Sequence, residues 1–487
     1  MQSRPLAAEA GYGQETRKEP HVRTLISGGT VVSSTGAEPA DVLVEDERIV
    51  ALAAPGSELA AAFADGARRL DASGKLVIPG AIDVHTHMEM PFGGTTSADT
   101  FETGTRAAAW GGTTTIVDFA IQRKGEPLRS GLDAWHAKAE GNCAIDYGFH
   151  MIVSDVNDQS CKEMDVLVGE GVTSFKLFMA YPGVFYSTDG EILRAMQQAR
   201  ISGATVMMHA ENGIAIDLLV SQALARGETA PRFHGTSRPD LLEAEATRRA
   251  IALAKVAGAP VYIVHLSTTG ALDAVAEARG DGQNAFAETC PQYLFLSTDD
   301  LAREGFEGAK YVCSTPLRAR EHQANLWRGL RTNDLSVVST DHCPFCFKEQ
   351  KELGVGDFSK IPNGLPGVEH RVDLTYQGVL AGEITLPRWV EINATTPARM
   401  FGLYPRKGVL APGADADIVV YDPGATQTIS SATHHMNVDY SAYEGKAITG
   451  RVDTVLSRGH LVIEGGQYVG EKSHGRFVPR KTNEYLI

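Results

Sequence analysis

His85 and His87 stand two residues apart in AIDVHTHMEM (residues 81–90), behind the apolar positions Leu76, Val77, Ile78, Ile82 and Val84. In a β-strand, residues i and i+2 project to the same face. Both imidazoles would therefore emerge together at the carboxyl end of a buried strand. Neutral imidazole is the commonest protein ligand for a transition metal. Two histidines that cap a strand through backbone hydrogen bonds would give the same local pattern. The pair acquires chemical meaning only from partners elsewhere in the chain.

Four further apolar runs supply such partners. Lys176 lies inside SFKLF, His209 lies in MMHAEN, His265 in YIVHLS and Asp341 in VVSTDH. Four histidines, one lysine and one aspartate at strand ends make a metal donor set: His85, His87, Lys176, His209, His265 and Asp341. Lys176 is the unusual member. Its flanks, Ser174-Phe175 and Leu177-Phe178, argue for burial rather than for a stem that snorkels to the surface. A buried ammonium beside metal cations is desolvated and repelled, so its pKa falls and the neutral amine dominates. A neutral amine can add carbon dioxide to give a carbamate, an anion able to bridge two metals. Two Zn2+ per subunit bridged by N6-carboxylysine at Lys176, a modification that requires CO2, would be a chemically sensible occupant of this donor set.

These groups need a scaffold that brings strand ends together. Strands are expected over residues 82–87, 114–119, 147–153, 174–178, 205–210, 261–266, 285–289 and 337–341. Helical segments are expected between them, over 99–110, 132–140, 162–169, 191–202, 241–256, 272–279 and 322–330. The segment 241–256 has the clearest helical spacing of Ala, Leu and Ile, with Pro239 and Asp240 at its start and Gly258 at its end. Eight strands alternating with helices is the count of a (β/α)8 TIM barrel of the α/β class, whose chemistry sits at the carboxyl ends of the strands. Short β-like runs with glycine turns fill residues 23–76 and return between 416 and 464. The expected organisation is a disordered tail (1–22), a small β-sandwich from both chain ends (23–78 plus 404–468), a catalytic barrel (79–403), and a C-terminal tail (469–487) available for oligomer contact.

Of the 487 residues, 43% are hydrophobic and 22% charged, as in soluble globular proteins, and the net charge is −15. That balance argues against nucleic acid or an anionic membrane as partner. No apolar run approaches the ~20 residues that span a bilayer. The N-terminus lacks the apolar region of a secretory signal. Six scattered cysteines suit a reducing cytoplasm rather than a disulfide framework, and the lone Cys343-x-x-Cys346 reads as structural.

The segments GAIDVHTHMEMPFGGT, SFKLFMAYPG, HAENG, ETCPQYL, VCSTPLR, STDHCPF and FSKIPNGLPGVE, in this order, resemble the dihydropyrimidinase/hydantoinase family of the amidohydrolase superfamily. The likeness runs through nearly the whole chain from about Arg23. The resemblance implies that His85, His87 and Asp341 hold the more buried metal and that His209 and His265 hold the second. Carboxylated Lys176 and a hydroxide would bridge the two. It implies that Tyr181 donates to the substrate carbonyl oxygen and that Ser314 and Asn363 grip the cyclic amide through backbone groups. Phe92, Phe178 and Phe185 would surround the exocyclic substituent, although plain core packing accounts for three phenylalanines equally well. The implied reaction is attack of the bridging hydroxide on a ring carbonyl of a dihydropyrimidine or hydantoin, with Asp341 as proton carrier, to give an N-carbamoyl amino acid. The implied setting is a cytoplasmic homotetramer in pyrimidine degradation.

Sister activities stay open at this point. An allantoinase-like cyclic amidohydrolase shares the pattern. A dihydroorotase is disfavoured because Glu89 stands where an arginine would bind the substrate carboxylate. A non-catalytic scaffold homologue would lack the metal ligands, and all six are present. Two departures bear on loop shape and substrate preference: Ile214 after the glycine of HAENG, where an acidic residue is common, and Thr315, where proline is more usual.

Overall fold

The computed structural model describes residues 22–483. The tail expected over 1–22 lies, apart from Val22, outside the described residues. Eight strands form one parallel sheet: β1 (Ala81–Thr86), β2 (Thr113–Ile121), β3 (Asp146–Ile152), β4 (Ser174–Phe178), β5 (Thr205–His209), β6 (Val261–Ile263), β7 (Ala285–Thr289) and β8 (Val337–Val338). Each strand pairs with the next in chain order. The ring closes just past the ends of β1 and β8, where Thr86 bridges His342 and the His87 amide donates to the His342 carbonyl at 2.8 Å. Parallel strands covered on both faces read as unbroken apolar runs, and all nine residues of β2 are buried.

The helices between the strands start and stop on recognisable signals. Asp240–Ala257 follows Pro239 and ends on Gly258 in the left-handed conformation, φ 66°. Asp189–Ser202 opens with a reciprocal Thr188–Glu191 capping box and ends on Gly203, φ 76°. Two further helices, Gly213–Ala225 and Arg371–Leu380, had no counterpart among the expected segments. The first exposes Ile214 and Leu218 alongside Asp217, Ser221 and Gln222, so it lacks the one-sided pattern that marks an amphipathic helix.

The chain ends meet in a second layer. A seven-stranded sheet runs in the order Gln467–Tyr468, His460–Glu464, Ala447–Ser457, Ile418–Thr428, Leu76–Pro79, Thr30–Val32 and Ala37–Pro39. Strands from both ends are therefore neighbours, with Leu76–Pro79 antiparallel to Ile418–Thr428. A four-stranded sheet, Arg48–Ala53, Asp41–Glu45, Arg23–Ser27 and Arg68–Asp71, stacks on it. Side-chain alternation assigns the faces. Ile418 and Val420 pack with Ile26, Val42, Val44 and Ile49 of the smaller sheet. Val419 and Tyr421, one residue out of phase, belong to the barrel core.

Two polar devices join the layers. Lys407 is fully buried, its Nζ 2.8 Å from Asp146, 3.1 Å from Asp415 and 2.7 Å from Asp417. The Arg458 guanidinium completes the cluster on Asp146 at 3.0 Å. Burial disfavours the ammonium, but the three carboxylates hold the Lys407 pKa above its usual range. Lys407→Met would leave buried carboxylates short of a partner. The expected cost is about 3–5 kcal/mol of stability, read as a lowered denaturant midpoint. The second device is the C-terminal segment. Val478 donates to the Tyr147 carbonyl at 2.7 Å, and Arg480 donates through its backbone to Gly171 at 3.0 Å and through its guanidinium to Ser174 at 2.9 Å. This segment lies across the amino-terminal end of the barrel. It needs glycine at 171, because a Cβ there would come within 2.5 Å of the Pro479 backbone.

Candidate metal centre

Strand pleat brings His85 and His87 to the same side of the β1 end. The Nδ1 of His85 is hydrogen-bonded to Glu288, so its Nε2 turns inward, 2.9 Å from Lys176 Nζ and 3.1 Å from Asp341 Oδ1. His87 Nε2 lies 3.3 Å from the same Asp341 oxygen. The donor atoms of His85, His87 and Asp341 all fall within 4.8 Å of one another. His209 and His265 form the other half, with His209 Nδ1 2.9 Å from His265 Nε2. The rings of His85 and His265 are 5.4 Å apart, so the halves adjoin.

The electrostatics suit a cation. Burial pulls His85, His87 and His265 below the ordinary imidazole range, and the neighbouring Lys176 adds to this, so the rings are neutral ligands. Glu211 is held ionised: burial opposes this, but the Arg238 guanidinium at 3.1 Å and the His209 hydrogen bond outweigh it. Glu211 therefore accepts the Nε2 proton of His209 at 2.8 Å. The lone pair of His209 is left on Nδ1, facing His265. Burial lowers Lys176 to about 8, against the pull of Asp341 and Glu288. Burial also opposes ionisation of Asp341, but the His87 hydrogen bond, the flanking imidazoles and Lys176 keep its pKa below the usual carboxylate value. Imidazole nitrogens and carboxylate oxygens converging in this way fit a divalent transition ion.

Three of these residues hold left-handed backbone conformations that side chains rarely adopt: Tyr181 (φ 62°), His265 (φ 41°) and Asp341 (φ 51°). Such strain persists where the surrounding structure enforces it, and it clusters at functional sites. His265 is pinned through its carbonyl, which accepts from Thr315 Oγ1 at 3.2 Å. Thr315 also bonds Ser267 at 3.0 Å, so the residue that departs from the family pattern supports a ligand.

Above the ligands is a cavity that adjoins a wider mouth, the two sharing Phe92, Tyr181, Phe185 and Asn363. Tyr181, Ser314 and Asn363 form one wall, with Asn363 Nδ2 3.2 Å from Ser314 Oγ and 3.5 Å from Tyr181 Oη. Burial pushes the Tyr181 phenol up to about 12, so it carries its proton at neutral pH. Phe92, Phe178 and Phe185 line the cavity beside Tyr181, their ring centroids 5.4, 6.1 and 6.4 Å from its ring, with Phe185 stacked 5.0 Å from Phe178 and 6.4 Å from Phe92. The candidate ligands, Tyr181, Ser314, Asn363 and the three phenylalanines thus meet in one place. Glu89 does not join them. Its carboxylate caps the Phe101–Trp110 helix at 3.2 Å, and Met90 faces the cavity instead. Cys343 lines the cavity, and all six cysteines are unpaired.

Two groups escaped the sequence reading. Glu288 serves both halves: it holds His85 and also accepts from the His265 amide at 3.3 Å and from Tyr262 at 3.0 Å. Glu211 fixes the tautomer of His209. Carboxylates that orient ligating histidines are a general feature of metal sites. Their only trace in sequence is an acid inside AFAET and one just past MMH.

Comparison with known proteins agrees with this geometry. The model of the amidohydrolase family matches residues 76–462. A D-hydantoinase from Streptomyces coelicolor is 71% identical over 464 residues, covering 95% of this chain and 99% of the relative. The crystal structure of a dihydropyrimidinase from Brevibacillus agri superposes with a TM-score of 0.93 at 48% identity, covering 95% and 99% of the two chains. An L-hydantoinase from Arthrobacter aurescens follows at 0.84 and 30%, covering 94% and 99%. The chain belongs to the dihydropyrimidinase/hydantoinase family of amidohydrolases. The matched segment of this amidohydrolase begins at Leu76–Pro79, the strand that ties the sandwich to β1, and so takes in the whole barrel. Among its described residues no helix is long and apolar enough to cross a membrane.

Proposed function

We propose that this hydrolase opens cyclic ureide rings, dihydropyrimidines and 5-substituted hydantoins, to N-carbamoyl amino acids, using two Zn2+ ions and a carboxylated Lys176. The observation that carries the reading is Lys176 Nζ at 2.9 Å from His85 Nε2, wholly buried and next to Asp341. A lysine kept as a cation would oppose a metal there, whereas its carbamate would complete the ligand set. His85, His87 and Asp341 would hold one ion, His209 and His265 the other, with Lys176 between them. Bound metal supplies a deprotonated water nucleophile at neutral pH and polarises the scissile carbonyl.

The chain's own groups do the rest. The segments carrying Ser314 and Asn363 hold the amide edge of the ring. Tyr181 donates its hydroxyl to the carbonyl oxygen as charge develops. Asp341 takes the proton released by the attack and returns it to the departing ring nitrogen. Phe92, Phe178 and Phe185 surround the exocyclic group, and their aromatic faces suit apolar substituents. The D-specific names of close relatives carry the expectation that the D enantiomer is preferred.

A rate panel with zinc-loaded protein tests this. Dihydrouracil and D-5-substituted hydantoins are expected to open. Dihydroorotate should be at least ~10²-fold slower, because its carboxylate would enter a cavity in which, among the described lining residues, no lysine or arginine is left to pair with it once Lys176 serves as a ligand. Chelator-treated protein should lose activity and recover it with zinc. Turnover that is indifferent to chelation, or that favours allantoin over every hydantoin, overturns the reading.

A further inference from the structure

The ring-opening scheme leaves the buried Lys351 unused. Lys351 is fully buried, and its Nζ donates to three backbone carbonyls: Val312 at 2.8 Å, Pro362 at 2.7 Å and Gly364 at 2.8 Å. An ammonium has three donors, and all three are satisfied. Phe345 lies beside it, its ring centroid 5.9 Å away. Burial lowers the Lys351 pKa to about 7. A charge without a buried counter-ion is costly to keep, so its retention calls for a reason.

The acceptors give that reason. Val312 lies two residues before Ser314, and Pro362 and Gly364 flank Asn363. The Gly364 amide donates to the Val312 carbonyl at 3.0 Å, so the two segments already touch. On the cavity side they meet through Asn363 Nδ2 and Ser314 Oγ. On the far side they meet through the Lys351 ammonium. The loop also lies flat on the segment after Asp341, where a Cβ at Gly364 would come within 2.1 Å of the Cys343 carbonyl. Lys351 is itself anchored by its amide, which donates to the Cys346 carbonyl at 2.9 Å.

We propose that Lys351 is a positioning residue of the substrate site: its ammonium ties the Ser314 and Asn363 segments together from behind and so sets the grip on the ring amide. The inference rests on the ring-opening reading above. It predicts a change in substrate affinity rather than in metal content, because none of the three carbonyls belongs to a metal ligand.

The test compares Lys351→Met and Lys351→Gln with wild type, each full-length and zinc-loaded, on dihydrouracil and a 5-substituted hydantoin. Lys407→Met serves as the comparison, a lysine equally buried but away from the cavity. KM is expected to rise at least ~10-fold in Lys351→Met with a smaller fall in kcat. Lys351→Gln, which keeps a donor, should fall between Met and wild type and carries the comparison where the Met variant does not fold. Zinc content should match wild type throughout, and Lys407→Met should lose stability with KM unchanged. An unaltered KM in a folded, zinc-replete Lys351 variant overturns the positioning role while leaving the ring-opening reading intact. Wild-type protein that opens none of the rings would overturn both.

Discussion

Lys176→Ala is expected to lower kcat/KM at least ~10³-fold and to prevent the protein from holding a pair of metal ions. The side chain sits 2.9 Å from His85 Nε2, in surroundings that bring its pKa down to about 8. A group that titrates there keeps a useful neutral fraction at physiological pH, which carbon dioxide can trap. The strand around it should survive the change: Phe175 and Leu177 keep their packing, and the β4 backbone pairs with β3 and β5 regardless of the side chain. Metal analysis by mass spectrometry and a rate assay on the same sample check both halves of the expectation. A variant with full activity would refute the bridge.

Asp341→Asn should keep the fold and lose turnover, with kcat down ~10²–10⁴-fold. Asp341 occupies a left-handed backbone position at φ 51°, and asparagine is among the few residues that tolerate it. The substitution is nearly isosteric, so the cavity keeps its shape while the proton carrier is removed. Circular dichroism and the denaturant midpoint should stay close to wild type while steady-state assays show the loss. Near-wild-type rates would place the base on another residue.

Much of this centre was legible in the chain because the fold itself imposes a pattern. Strands buried on both faces must be apolar throughout, so a histidine, lysine or aspartate at the end of such a run stands out. Reading His85, His87, Lys176, His209, His265 and Asp341 together needed only that principle and the barrel geometry. Other parts left weaker marks. Glu211 and Glu288 matter through which histidine nitrogen they hold, and no spacing rule encodes a tautomer. The Gly213–Ala225 helix exposes Ile214 and Leu218 as well as Asp217 and Ser221, so its apolar residues gather on no single face and offer little period to detect. Glu89 was a plausible substrate-facing group from its place after His87, but its side chain turns to cap a helix. Lys351 lies in KEQKELG, a stretch that reads as a solvated charge run, and only the three-dimensional path of two distant loops explains its burial.

The central seam of the seven-stranded sheet, where Leu76–Pro79 pairs with Ile418–Thr428, has a temporal consequence. The ribosome releases the first strand about 340 residues before the second, an interval of tens of seconds at roughly 5–20 residues per second. During that time Val77 and Ile78 form an open, apolar edge with no mate, next to the strand that will carry His85 and His87. The metal ligands of β1 are thus made early and fixed late, once the far end of the polypeptide has arrived. Recombinant production of this enzyme should therefore benefit from chaperones that shield an unfinished sheet.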